Sequence, residues 1–236
     1  MAALLAEDGF TSAEDILEGR FGFFQVLKGR FEPDALEMLG KRWAVEDLAQ
    51  KYHASCHGTH SPIEATLGIV EKHQLPVDRI QAIQVLSSQL ALDAANKAAP
   101  RTGLEGKFSI SYCITNALLR NDTGTGAFTD EKVNEPRIRA FMEKVSVGAF
   151  DKFKGLESEV TVKTTTGETY SAYADILKDV PELEAKKVKI AAKFRGLCRP
   201  VLGSDRTEEL LERVFSLDRA DGVGEVMALT DETRTV

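Results

Sequence analysis

Apolar positions recur three and four residues apart along some stretches of the chain and alternate along others, and these two periods divide it into elements. Ala2 to Ala6 reads as the closing turns of an amphipathic helix with no capping residue ahead of it. Thr11 and Ser12, with Asp15 three residues on, cap a short helix through Leu17, and Phe21, Phe23 and Phe24 form a run of core or interface aromatics. Pro33 and Asp34 open another short helix through Leu39, whereas Trp43 to Tyr52 fits neither period. Ser61-Pro62-Ile63-Glu64 carries the elements of a capping box: hydroxyl at N-cap, Pro at the first helical position, Glu at the third. Ile63, Leu67 and Val70 then follow at helical spacing, which predicts a helix to about Gln74, ahead of Pro76.

Arg79 to Leu86 is rich in Ile and Val and reads as a strand, and Ser87 to Ala99 as a helix ended by Pro100. Phe108 to Arg120 places Phe108, Tyr112, Thr115 and Leu119 on one helical face, residues 121–126 form a loop, and a helix runs from Pro136 to about Lys144. Val160, Val162 and Thr164 alternate, Thr166-Gly167 turns, and Thr169 to Tyr173 returns, which predicts an antiparallel hairpin. Beyond Pro181, helices are predicted over Leu183 to Leu197, Arg206 to Leu217 and Gly224 to Leu229. The fold class that follows is α+β: an antiparallel sheet with helices over 41–178, flanked by helical segments over 1–40 and 179–236.

Composition narrows the class of function. With 236 residues, 43% hydrophobic and 28% charged, the chain has the makings of one large or two modest folded domains, which excludes disorder. A formal net charge of -7 excludes a generic nucleic-acid binder, which would present a basic stripe to the phosphates. No apolar run approaches the ~18 residues of a membrane span, and Met1 to Ala6 lacks the basic start of a secretion signal, so no membrane partner is expected. Cys56, Cys113 and Cys198 are scattered with no C-x-x-C pair, which points to the reducing cytoplasm and away from a disulfide framework or a thiolate metal site. Gly222-Val-Gly224 and Thr123-Gly-Thr-Gly126 lack the remainder of a nucleotide-binding fingerprint and read as turns. Lys186, Lys187, Lys189, Lys193 and Arg195 read as the solvated side of a helix.

Chemistry concentrates in Lys51-Tyr-His53-Ala-Ser-Cys56-His57-Gly-Thr59-His60. Three readings stay open. On one helix face His53, Cys56, His57 and His60 would offer zinc-type ligands, although Gly58 and the cap at Ser61 interrupt that helix. The N-terminus of the helix after Ser61, with Lys51, His57 and His60 around it, would form an anion site with histidines able to move protons near neutral pH. The third is a set of surface histidines beside an ordinary cap.

This segment resembles a signature of the MmgE/PrpD family. Lys107-Phe-Ser-Ile-Ser-Tyr112 with Ala117-Leu-Leu and Ala127-Phe-Thr129-Asp130 resembles the family's next block, and Lys193-Phe194-Arg195 with Arg199-Pro-Val-Leu-Gly203 its C-terminal helices. The family includes 2-methylcitrate dehydratase, cis-aconitate decarboxylase and an iminodisuccinate epimerase, which act on small polycarboxylates without a cofactor or metal. The resemblance implies a site between an all-helical domain and a small α+β lid. It makes residues 1–40 a remnant of the helical domain, 41–178 the lid and 179–236 the closing helices, with most of the helical domain ahead of position 1. It implies catalytic roles for Lys51, His60 and Tyr112 and substrate binding by Lys51, Cys56, Thr59 and Lys107, with no metal. Cys56 stands where the decarboxylase branch carries a histidine, which points to hydration or dehydration of a 2-methylcitrate-like substrate. A homodimer, or a chain supplying the missing helical domain, is the implied partner, and a non-catalytic lid protein acting through association is the alternative.

Overall fold

The computed structural model describes residues 1–29, 33–43, 45, 48–179 and 182–231. Positions 44, 46 and 47 of the Trp43–Tyr52 segment, and the break expected at Pro181, lie outside them. The chain divides into two compact units, residues 1–49 and 50–236.

In the first unit the described elements are short: α1 (Ala2–Glu7), α2 (Phe23–Val26) and a 3-10 turn over Pro33–Met38. The helix expected through Leu17 is instead a set of turns over residues 14–18, in which Gly19 N donates to Asp15 O at 2.7 Å and Phe23 N to Ile16 O at 2.7 Å. The carbonyls of Ile16 and Leu17 are taken by the N–H groups of Phe23 and Phe24, seven residues on, instead of by the amides four residues on that a continuing helix would use.

The second unit is built around a four-stranded sheet of order β2-β1-β3-β4. Strand β1 (Ile80–Ser87) runs antiparallel to β3 (Ser158–Thr164), which pairs antiparallel with β4 (Thr169–Ala174) as the hairpin pattern predicts. The other neighbour of β1 is β2 (Val145–Ala149), and it runs parallel, so the sheet is mixed where an antiparallel one was expected. In register, Ile83 lies between Val145 and Val162, and Val85 between Val147 and Val160. Helices α3 (His60–His73) and α6 (Ile110–Arg120) cover the sheet, and Ile69, Ile80, Ile83, Val85, Ile110, Ile114, Val160 and Val162 form the dry core.

Between β1 and β2 lie α4 (Gln89–Ala95), α5 (Gly103–Gly106), α6, α7 (Asp130–Asn134) and α8 (Pro136–Met142). Helix α4 is shorter than expected at both ends: Ser87 belongs to β1, Ser88 caps the helix by accepting from Ala91 N at 3.1 Å, and Asn96 leaves it to bridge Ser109. Ser109 in turn caps α6, and Asn121 ends it in the left-handed conformation at φ 50°. After β4 come α9 (Leu183–Leu202), α10 (Ser204–Phe215) and α11 (Gly224–Leu229). Helix α9 runs past Pro200 to Gly203, whose φ of 77° suits a residue without a side chain. No helix among the described residues is long and apolar enough to cross a membrane.

The start of α3 differs from the capping box in the sequence. A 3-10 turn over His57–Thr59 leads directly into His60, so Ser61 lies inside the helix. Its hydroxyl instead accepts from Ile176 N at 3.0 Å, tying α3 to the segment after β4. Gly58 permits this burial, since a Cβ there would sit 3.3 Å from Ala91 O in α4.

Candidate active site

The second unit carries an open cleft of about 910 Å³. Its walls are the extended segment 51–56, Glu64 of α3, Lys107 and Phe108 ahead of α6, the loop 121–126, and one face of α9 bearing Lys189 and Lys193. The segment is pinned across the cleft floor: Ala54 N donates to Thr123 O at 2.8 Å and Cys56 N to Lys107 O at 2.9 Å.

Lys51, Lys107, Lys189 and Lys193 all line this space. The Lys193 ammonium donates to the Lys51 carbonyl, and its pKa is lowered first by burial and then by the charge of Lys51. Lys189 bridges to Glu64 Oε2 at 3.0 Å and lies over the Tyr52 ring, 5.2 Å from its centroid. Lys107 lies 5.9 Å from the centroid of Phe128. Four ammonium groups on one concave surface favour a ligand carrying several negative charges.

Of the residues the sequence singled out, the structure brings Lys51, Cys56 and Lys107 to the cleft. Thr59, His60 and Tyr112 lie beneath its wall. Thr59 is buried with Oγ1 donating to Cys56 O at 2.8 Å and 2.7 Å from Ser55 Oγ. The Tyr112 hydroxyl donates to Ala127 O at 2.5 Å inside a cluster with Val133, Ile138 and Met142, and burial raises its pKa. His60 is fully buried, its ring edge-on to those of His53 and His57, each 4.8 Å away between centroids. Burial first, then the neighbouring His53 and His57, push its pKa down to about 3, so the ring is neutral at physiological pH. The first turn of α3 is likewise buried at His60, Ser61, Pro62 and Ile63. The helix N-terminus therefore does not open as the anion site its sequence suggested.

His53, expected to face solvent, is only 6% exposed. Its Nε2 lies 3.0 Å from Glu64 Oε1 and its Nδ1 2.8 Å from Thr123 Oγ1. The hydrogen bond from His53, followed by that from Lys189, holds the Glu64 carboxyl at a pKa of about 2 against the opposing effect of burial. Glu64 is thus a site residue rather than the closing member of a capping box. Among the described residues no three His, Cys, Asp or Glu side chains are placed to hold a metal ion. Sequence reasoning also missed Lys189 and Lys193. Their i, i+4 spacing puts both on one helical face, but nothing local shows that this face meets a cleft.

A sequence model of the MmgE/PrpD C-terminal domain matches residues 53–217. Among curated proteins the chain is 24% identical to a cis-aconitate decarboxylase-like protein, oryM, of Aspergillus oryzae, aligning 96% of this chain with 51% of that protein. It is 22% identical to the cis-aconitate decarboxylase of Aspergillus terreus, over 97% of this chain and 51% of the relative. It is 23% identical to the cis-aconitate decarboxylase of Mus musculus, over 92% of this chain and 46% of the relative. The chain therefore spans about half the length of the curated relatives it matches.

Proposed function

The chain belongs to the MmgE/PrpD family, and from that premise we propose that its cleft is one wall of the active site of a lyase acting on small polycarboxylates by acid/base chemistry. The observation that carries this reading is the convergence of Lys51, Lys107, Lys189 and Lys193 on one cleft. Taking a proton from a carbon beside a carboxylate leaves charge that must be stabilised as it forms, and fixed ammonium groups do this best where water is partly excluded. Lys51 and Lys107 bind substrate carboxylates. Lys193, its pKa already lowered, is the ammonium best suited to exchange a proton. His60 and Tyr112 support the segment and the loop from beneath. The opposite wall is assigned to a helical domain, carried in the same polypeptide or by a partner chain.

The substrate we propose is 2-methylcitrate-like, undergoing hydration or dehydration, with Cys56 at the position where the family's decarboxylase branch resembles this motif but carries histidine. Decarboxylation of cis-aconitate is the second reading, favoured by what the curated relatives are called. Protein purified from its own cells, incubated separately with 2-methylcitrate and with cis-aconitate, separates the two: alkene formation without gas supports the first, carbon dioxide release the second. Lys51→Ala is expected to lower turnover by about 10²-fold or more. Unchanged turnover in that variant, or inertness toward both compounds, overturns the assignment.

A further inference from the structure

The four cleft lysines are not equivalent. Among the described residues, Lys189 alone of them is paired with a carboxylate, that of Glu64. The two acids that line the cleft are both engaged away from Lys193: Glu64 with His53 and Lys189, and Asp122 through Oδ1 with Gly124 N at 2.8 Å. Lys193 shares its face of α9 with Ala192, Gly196 and Leu197, none of which carries a charge. Its ammonium is held by the carbonyl of Lys51, a neutral acceptor that fixes the nitrogen beside residue 51 without balancing its charge.

An ammonium that is partly desolvated, lacks a counter-ion and has a second cation near it gives up its proton more readily than a solvated one, which is the direction of the Lys193 pKa. The amine so formed is a nucleophile as well as a base. What it attacks is an electrophilic carbon. A ligand whose carboxylates are held by Lys51 and Lys107 presents such a carbon when it also carries a ketone.

We propose that Lys193 is a covalent site for 2-oxo dicarboxylates, forming an imine with the ketone while Lys51 and Lys107 hold the carboxylates. The nitrogen lone pair makes the C–N bond, the C=O π pair moves to oxygen, and one proton passes from nitrogen to that oxygen to give a carbinolamine. A second proton, from the Lys51 ammonium, lets the oxygen leave as water, and the hydrogen remaining on nitrogen returns to Lys51. One amine and one ketone thus give one imine and one water. The proposal rests on the polycarboxylate reading above for its two carboxylate contacts and adds a reactive group that acids without a ketone do not engage.

The test is incubation of the full chain with 2-oxoglutarate and sodium cyanoborohydride, which reduces an imine to a stable secondary amine, followed by peptide mass mapping. Citrate binding is measured beside it by calorimetry. Lys193 is expected to be labelled about 10-fold or more ahead of any other lysine, because the held carboxylates place the ketone next to it. Excess citrate should protect Lys193 by occupying the same lysines, Lys51→Gln should slow its labelling about 10-fold, and Lys193→Arg should remove the adduct while keeping the charge. Labelling spread evenly over the lysines, or no adduct, overturns the covalent site and leaves the polycarboxylate reading standing if citrate binds. No adduct and no citrate binding overturn both. An adduct at Lys193 against which citrate gives no protection overturns the assignment of the carboxylates to Lys51 and Lys107. Should a variant fail to fold, the map of the native chain with and without citrate decides alone.

Discussion

Ile83 in β1 and Phe21 ahead of α2 are both large apolar side chains in patterned segments, yet Ile83 is fully buried and Phe21 is 81% exposed. The difference lies in where each finds partners. Ile83 is flanked by Val145 and Val162, residues far away in the sequence, and it packs in a core shared with α3 and α6. The first unit offers α1 and α2, six and four residues long and without a buried residue, so among the described residues of that unit Phe10, Phe21 and Phe23 meet no comparable core. Apolar periodicity marks a face that can be buried; only long-range partners bury it.

The sharpest way to break this contrast is a pair of truncations followed by urea unfolding of the full chain. Ile83→Ala is expected to cost about 2–5 kcal/mol, transfer plus cavity, whereas Phe21→Ala should stay within about 0.5 kcal/mol. Comparable losses would mean that the first unit buries more than its geometry shows. A smaller effect, about 1–3 kcal/mol, is expected for Ser61→Ala, which leaves the buried Ile176 N–H without its acceptor. An unmoved urea midpoint would show that the tie between α3 and the segment after β4 is dispensable.

The last of these expectations concerns acid. His60 takes its proton near pH 3 in the folded chain but near its ordinary 6.5 when unfolded. Between those values the unfolded chain binds a proton that the folded chain refuses, so stability declines as pH falls below about 6.5. Glu64 acts in the same direction lower down: its carboxylate contribution is complete above its ordinary 4.5 and is lost toward 2. All four histidines lie beyond residue 49, so this sensitivity belongs to the second unit. His60→Gln should flatten the pH dependence of the thermal midpoint between pH 7 and 4 by up to one proton, about 1.4 kcal/mol per pH unit at most. An unchanged slope would show that the ring is not held neutral.

What could be read from the sequence was local. The pattern of Ile63, Leu67 and Val70 located α3, the alternation at Val160 to Thr164 located the hairpin, and Gly224 to Leu229 located α11. Val145-Ser-Val-Gly was hidden because β2 is brief, only half-buried, and follows directly on α8. Ser61 carried every local mark of a cap, yet a tertiary hydrogen bond claimed its hydroxyl. In the site, Lys51, Cys56 and Lys107 were found through resemblance, and that resemblance also nominated His60 and Tyr112, which sit behind the wall. The pairing of His53 with Thr123 spans 70 positions, and the meeting of Glu64 with Lys189 spans 125. No periodicity connects such residues; only the closing of the fold brings them together.

The parallel pairing of β1 with β2 also sets an order of events. Strands β3 and β4 are joined by a turn at Gly167 and can zip together as soon as both exist, because closing so short a loop costs little entropy. Strand β1 leaves the ribosome before either, and its parallel neighbour follows only after α4 through α8 have been made. A strand with both edges unpaired invites pairing with another chain. Ile80, Ile83 and Val85 of β1 share their buried cluster with Ile69 of α3 and with Ile110 and Ile114 of α6, elements that lie ahead of β2 and β3 in the chain, so part of the cover for β1 is encoded before its neighbouring strands.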